Sequence, residues 1–93
     1  MVATKSKSAF VVSNKKGLHT RPSTELVRCA HTFKSNIWLI YNQQCIDAKS
    51  ILDILTLSAN WGAKIQVEAE GEDAERAVEA ILNLAMNKFN VLY

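Results

Sequence analysis

The stretch Lys64-Ile65-Gln66-Val67-Glu68-Ala69-Glu70 alternates polar and apolar residues almost without exception. A strand sends successive side chains to opposite faces, so the pattern predicts a strand with one face buried and one wet. The apolar face needs a cover, and the next residues supply one. Gly71-Glu72-Asp73 turns the chain and puts acid at a helix start, after which Ala74, Ala77, Val78, Ile81, Leu82, Ala85 and Phe89 mark an apolar stripe at helical spacing. Any fold of this chain has to lay amphipathic helices on one face of a sheet.

The rest of the sequence repeats that grammar. Residues 1–7 read as a polar, flexible N-terminal tail, and Ala9-Phe10-Val11-Val12 begins a short strand. Ser13-Asn14-Lys15-Lys16-Gly17 is loop chemistry. From Thr20 a helix of about a dozen residues is expected, with Leu26, Val27, Ala30 and Phe33 on its apolar side. Pro22 is tolerated in the first turn, although the residue before a proline avoids helical geometry, so Arg21 is a second candidate for the boundary. Ile37–Tyr41 is β-branched and aromatic enough for a strand, and Asn42-Gln43-Gln44 turns it into an antiparallel Cys45-Ile46-Asp47 without the strong Asn-Gly signal. A short apolar helix follows, opened by Ser50 and Asp53 in the form of a capping box and ended by Asn60-Trp61-Gly62. The order is β-α-β-β-α-β-α. In 93 residues this implies one domain over residues 8–93, an α+β open-faced sandwich with a four-stranded antiparallel sheet and helices on one face.

Composition narrows the function mainly by exclusion. Eleven basic against nine acidic residues leave a net charge of +2, which gives no push toward nucleic acid or an anionic membrane. No run is long and apolar enough for stable membrane insertion, and Met1 to Ser8 lack the apolar core of a signal peptide, so a cytoplasmic protein is expected. Cys29 and Cys45 have no metal-type spacing and read as buried or half-buried free thiols; neither a metal nor a cofactor is expected.

The chemistry concentrates in Gly17-Leu18-His19-Thr20-Arg21-Pro22. This stretch puts a nitrogen nucleophile where a loop becomes a helix, with a guanidinium two residues on. Free N–H groups and the positive end of the helix dipole make such a junction an anion site, and a phosphoryl group fits it. Thr20 and Arg21 are the candidate phosphate-binding residues. Lys15 and Lys16, just upstream, would add positive potential but read first as a solvated loop, and His31 reads as a surface histidine.

With Gly-Leu-His-Thr-Arg-Pro after a first strand, and Ala48-Lys49-Ser50-Ile51 opening a short apolar helix, residues 8–89 resemble the HPr family. Its members are the histidine-containing phosphocarriers of the bacterial sugar phosphotransferase system. The resemblance implies that His19 takes a phosphoryl group on Nδ1 from enzyme I and passes it to the IIA domains of sugar permeases. Arg21 would neutralise the phosphate and Pro22 would shape the site. The protein would be a carrier and not a self-contained enzyme. The nearest alternative is a paralogue that regulates targets by its phosphorylation state; a third reading is a small RNA-binding module, for which Trp38 and Tyr41 without a basic stripe are weak support.

Ser50 matches the serine that an HPr serine kinase modifies in many members, and it also reads as a plain N-cap. Asp53 and Ser58 stand where the family commonly has glycine, and the Asp53 carboxylate would repel a phosphate one turn away. Ile51, Leu52 and Leu55 are expected to form an exposed docking patch, with Ile54 and Leu57 in the core. In Ile37–Tyr41 both faces are apolar, so Trp38 and Ile40 should point to the open side, as a self-association or partner site or beneath the N-terminal tail or neighbouring side chains.

Overall fold

The structure, a computed structural model, describes residues 4–93. Its strands are β1 (Thr4–Val11), β2 (Asn36–Tyr41), β3 (Gln44–Asp47) and β4 (Lys64–Gly71); its helices are α1 (Thr20–His31), α2 (Ile51–Thr56) and α3 (Ala74–Met86). The sheet order is β1-β4-β2-β3 and every pairing is antiparallel. The three helices lie on one face, so the architecture is the open-faced α+β sandwich that the alternation in β4 demands.

One boundary differs from the sequence reading. Thr4–Lys7, taken as tail, belong to β1 and pair with Glu68–Gly71; the rest of that expectation, residues 1–3, lies outside the described residues. The pairing explains the difference. Lys5 and Lys7 stand opposite Glu70 and Glu68, and the ion pairs at 3.5 and 3.4 Å suit polar residues to a strand's wet face. A polar run looks like a tail until its cross-strand partner is known.

The core is formed by the inward residues of each strand against the helix stripes. Phe10, Ile37, Leu39, Ile65 and Val67 of the sheet are buried beneath Leu26, Ala30, Val78 and Ile81. Outward-facing Trp38 and Ile40 are only half-buried, as the period of two requires. Trp38 sits opposite Glu68 and Asp47, in a hollow walled by Lys5, Lys7, Cys45 and Glu70. Cys45 faces the same side and is exposed, which corrects the expectation of a covered thiol; Cys29 is half-buried and its pKa is raised by that burial.

The turns depend on left-handed residues other than glycine. Asn42 and Gln43 have φ of 52° and 67°, as a two-residue type I′ hairpin requires, with Tyr41 and Gln44 as the flanking pair. α2 ends earlier than Asn60-Trp61-Gly62. Its last turn closes through Leu57 and Ser58, and Ser58 takes φ 51° to break the helix. Ser58→Gly should therefore raise stability by about 0.5–1 kcal/mol, by removing the Cβ penalty at that φ in excess of glycine's greater chain entropy. Urea denaturation would measure it, and an unchanged or lower midpoint would contradict it.

The capping box at α2 is half-formed. Ser50 Oγ accepts from the Asp53 N–H at 3.3 Å, while the Ser50 N–H donates to the Asp47 carbonyl instead of the Asp53 carboxylate. At α3 the acid does something the sequence did not suggest. Asp73 is the N-cap residue but makes no side-chain cap; its carboxylate accepts from Ser35 Oγ and from the Lys34 and Ser35 N–H groups, clamping the loop before β2. The Ser35 hydroxyl foremost, then these N–H groups, lower its pKa from 3.8 to about 2. A depressed folded pKa gives stability that is present above 3.8 and is lost as pH falls toward 2. The stability gap between the native chain and Asp73→Asn should accordingly narrow between pH 4 and pH 2. Denaturation series at those pH values check this, and a constant gap would refute it.

Candidate functional site

The loop before α1 is held by backbone contacts. The Gly17 N–H donates to the Asn14 carbonyl and the Leu18 N–H to the Ala59 carbonyl, each at 2.9 Å, which ties this loop to the one after α2. Gly17 has φ 73°, and a Cβ there would run into the Ala59 carbonyl. Only glycine combines that dihedral with that approach. Leu18 then plugs into the core at 5% exposure, and its neighbour His19 is left half-buried at the rim.

His19 is the N-cap residue of α1, in extended geometry, and its side chain caps nothing. The imidazole is thus not committed to the helix, although the backbone is: the Ser23 N–H reaches the His19 carbonyl at 3.1 Å. The N–H groups of Thr20 and Arg21 precede the first intrahelical bond and have no acceptor within the helix. The helix begins at Thr20 with Arg21 inside it. Pro22, fully buried at the third helical position, forfeits no intrahelical bond there. Ser23 Oγ donates to the Leu18 carbonyl at 3.1 Å and locks the turn from beneath. No acidic residue lies in the first turn, so the positive helix end is uncompensated.

The C-terminal segment closes over this site. After α3 the chain makes a left-handed turn at Lys88, Phe89 and Asn90, with φ of 53°, 55° and 59°. Phe89, which the sequence stripe assigned to the helix, lies beyond it and is driven into the core, edge-on to Phe10 with ring centroids 5.6 Å apart. Val91 is buried as well. Asn14, with no exposure, points Nδ2 at three main-chain oxygens, those of Lys88, Val91 and Tyr93, at 3.0, 3.2 and 3.2 Å. Tyr93 is thereby delivered onto His19. The rings stack at 5.4 Å and 17°, His19 Nε2 lies 3.0 Å from the Tyr93 main-chain oxygen, and an Arg21 guanidinium N–H donates to the Tyr93 hydroxyl at 3.0 Å. Lys16 Nζ stands 5.0 Å from the centre of the same ring.

His19, Thr20, Arg21 and Pro22 are thus brought together as one rim. Ser50, Ile51, Leu52 and Leu55 stand at the start of and along α2, which packs against α1. There Leu52 is 72% exposed, Ile51 and Leu55 are half-buried, and Ile54 and Leu57 are in the core. His31 is exposed, and its Nε2 hydrogen-bonds the Lys49 carbonyl just before Ser50 at 3.1 Å. Asn14 and Tyr93 are site-forming residues that sequence reasoning passed over, and Lys16, read from the sequence as solvated, stands over the Tyr93 ring. The only signal for the first two was distance in the chain, since Asn14 and Tyr93 are 79 residues apart.

Among known proteins, the family described as PTS-HPr, with the PTS HPr component phosphorylation site, matches residues 6–87. A phosphocarrier protein HPr of Xylella fastidiosa (strain 9a5c) is 39% identical over 81 residues, covering 87% of this chain and 91% of the relative. The crystal structure of HPr-C-His from Thermoanaerobacter tengcongensis superposes with a TM-score of 0.89 at 35% identity, over 92% of this chain and 97% of that one. The phosphocarrier protein HPr of Bacillus anthracis does so with a TM-score of 0.82 at 34% identity, over 86% and 95%. With His19, Arg21 and Pro22 standing at the helix start inside the matched segment, the chain belongs to the HPr family of phosphotransferase-system phosphocarrier proteins.

Proposed function

We propose that this protein accepts a phosphoryl group on His19 from phospho-enzyme I and passes it to the IIA domains of sugar permeases, in the cytoplasm. The observation that carries the reading is the His19 imidazole at the head of α1, which caps nothing in the helix and stands beside Arg21 and the first-turn N–H groups of Thr20 and Arg21. The imidazole lone pair attacks phosphorus, and the bond between phosphorus and the donor's nitrogen breaks with its electron pair returning to the donor. The reverse displacement delivers the group to the IIA domain. Charge on the equatorial oxygens needs donors aimed at it, and Arg21 with the helix N–H groups supplies them. Pro22 and Gly17 hold the geometry. The partner contributes the other half of the reacting pair, so the protein works as a phosphoryl carrier.

The exposed Leu52, with Ile51 and Leu55, is the docking surface in this reading, suited to a small transient interface shared by successive partners. Ser50 has its hydroxyl engaged as the α2 cap. A serine kinase acting there would have to break that contact and place nearly two negative charges one turn from Asp53.

Intact-mass analysis at mildly alkaline pH, after incubation with phosphoenolpyruvate and catalytic enzyme I from the same organism, tests the carrier role. The native chain should gain one acid-labile phosphoryl group and His19→Ala none. No gain, with an enzyme I shown to charge another carrier, would overturn the reading.

A further inference from the structure

Tyr93 meets the phosphoryl-accepting rim through its ring, its main-chain oxygen and its hydroxyl, and the chemistry of each contact is specific. A main-chain oxygen can only accept, so the His19 nitrogen facing it, Nε2, has to carry the proton. In the neutral ring the lone pair is then on Nδ1. The same oxygen also receives Asn14 Nδ2 at 3.2 Å, and the stacked ring keeps this end of the segment against His19. The Tyr93 hydroxyl meanwhile occupies an Arg21 N–H, a donor that a phosphoryl group would need.

From this geometry, and resting on the carrier reading above, we propose that Tyr93 is a positioning residue that sets His19 for attack through Nδ1 and gives up Arg21 to the incoming phosphoryl group. The main-chain contact and the phenol contact have opposite fates in the step. As the bond from Nδ1 to phosphorus forms, the ring keeps its Nε2 proton and takes on cationic character, so the Nε2–H bond to the Tyr93 oxygen becomes charge-assisted and strengthens. The phenol contact is between Arg21 and a neutral hydroxyl, and phosphate oxygens are the stronger acceptor for a guanidinium. Arg21 therefore exchanges partners while the ring stays stacked. Before the donor arrives, the phenol keeps Arg21 at the rim, and Lys16 over the ring face steadies the aromatic side chain.

Two variants separate the roles. Tyr93→Phe keeps the main-chain oxygen and the stack but has no hydroxyl; Tyr93→Gly removes the ring that holds the segment against His19. Nitrogen-15 NMR of the unphosphorylated protein reads the His19 ring directly. The native chain and Tyr93→Phe should show a protonated Nε2 and an unprotonated Nδ1, and Tyr93→Gly should move both shifts toward the averaged values of a free imidazole. In single-turnover phosphorylation by phospho-enzyme I, Tyr93→Phe should accept the group several-fold faster than the native chain, and Tyr93→Gly several-fold more slowly. Ring shifts that are the same in all three proteins would overturn the positioning role, and equal rates for Tyr93→Phe and the native chain would overturn the exchange. The NMR arm needs no phosphoryl donor. A protein that shows the expected shifts but is never phosphorylated would overturn the carrier reading instead, and the exchange with it.

Discussion

Arg21→Ala should reduce the rate of phosphoryl transfer to His19 by about 10²–10³-fold, the usual loss when one preorganised donor is removed from a developing oxyanion. The group responsible is the guanidinium at the head of α1, where no acidic side chain of the first turn competes for it. Arg21 is exposed and is not part of the core, so unfolding by urea should shift by no more than about 0.5 kcal/mol. That separates lost chemistry from lost fold. Arg21→Lys keeps the charge but not the fork that grips two phosphate oxygens, and it should recover only part of the rate. Rapid-quench measurement of phosphoryl gain checks all three proteins. A drop of less than about threefold for Arg21→Ala would mean that the helix N–H groups suffice and that Arg21 is not a main phosphate donor.

Phe89→Ala should destabilise the protein by about 3–5 kcal/mol, a large share of the roughly 5–15 kcal/mol that holds a domain together. Phe89 has no exposure and packs edge-on against Phe10, so its removal leaves a cavity between β1 and the end of α3. The effect should not stop at the core. Phe89 anchors the left-handed turn from which Val91 and Tyr93 reach back to the rim, and Asn14 bonds this turn at the Lys88 oxygen. Loosening the anchor should therefore weaken the stacking of Tyr93 on His19 in the molecules that remain folded. Denaturant titration gives the first effect, and loss of nuclear Overhauser contacts between the two rings gives the second. A loss of under about 1 kcal/mol would show that the core closes over the gap, contrary to the packing seen here.

Much of the rim was legible from the chain because its residues are neighbours. Gly17, His19, Arg21 and Pro22 lie within six positions, and the chemistry of each, a left-handed dihedral, a nucleophile, a fork of donors and a fixed φ, is a property of the residue type. β4 and the stripe of α3 were legible for a similar reason: periods of two and of about 3.6 are local, and burial imposes them directly. Sequence reasoning misjudged two places where a distant partner decides, and one helix end that a single backbone dihedral decides. Thr4–Lys7 became strand because Glu68 and Glu70 stand across from them. Asp73 gave up its own helix to serve the amides of Lys34 and Ser35, 39 and 38 residues away. Ser58, not the Asn60-Trp61-Gly62 run, ended α2 by accepting a backbone conformation that its type disfavours.

By itself, then, the sequence determined the element order and the one-sided sheet, since these follow from periodicity, and it offered His19 at the head of α1 as the candidate phosphoryl acceptor through a motif of neighbouring residues. Only the tertiary structure decided what stands over that histidine. Asn14 and Tyr93 have no period in common and no motif, and each is unremarkable in its own stretch of chain. They meet because β1 pairs with β4, α3 packs across both strands, and three left-handed residues fold Phe89 inward. Contacts made by closing so long a loop depend on the whole core being in place, which is why no local reading of the chain reaches them.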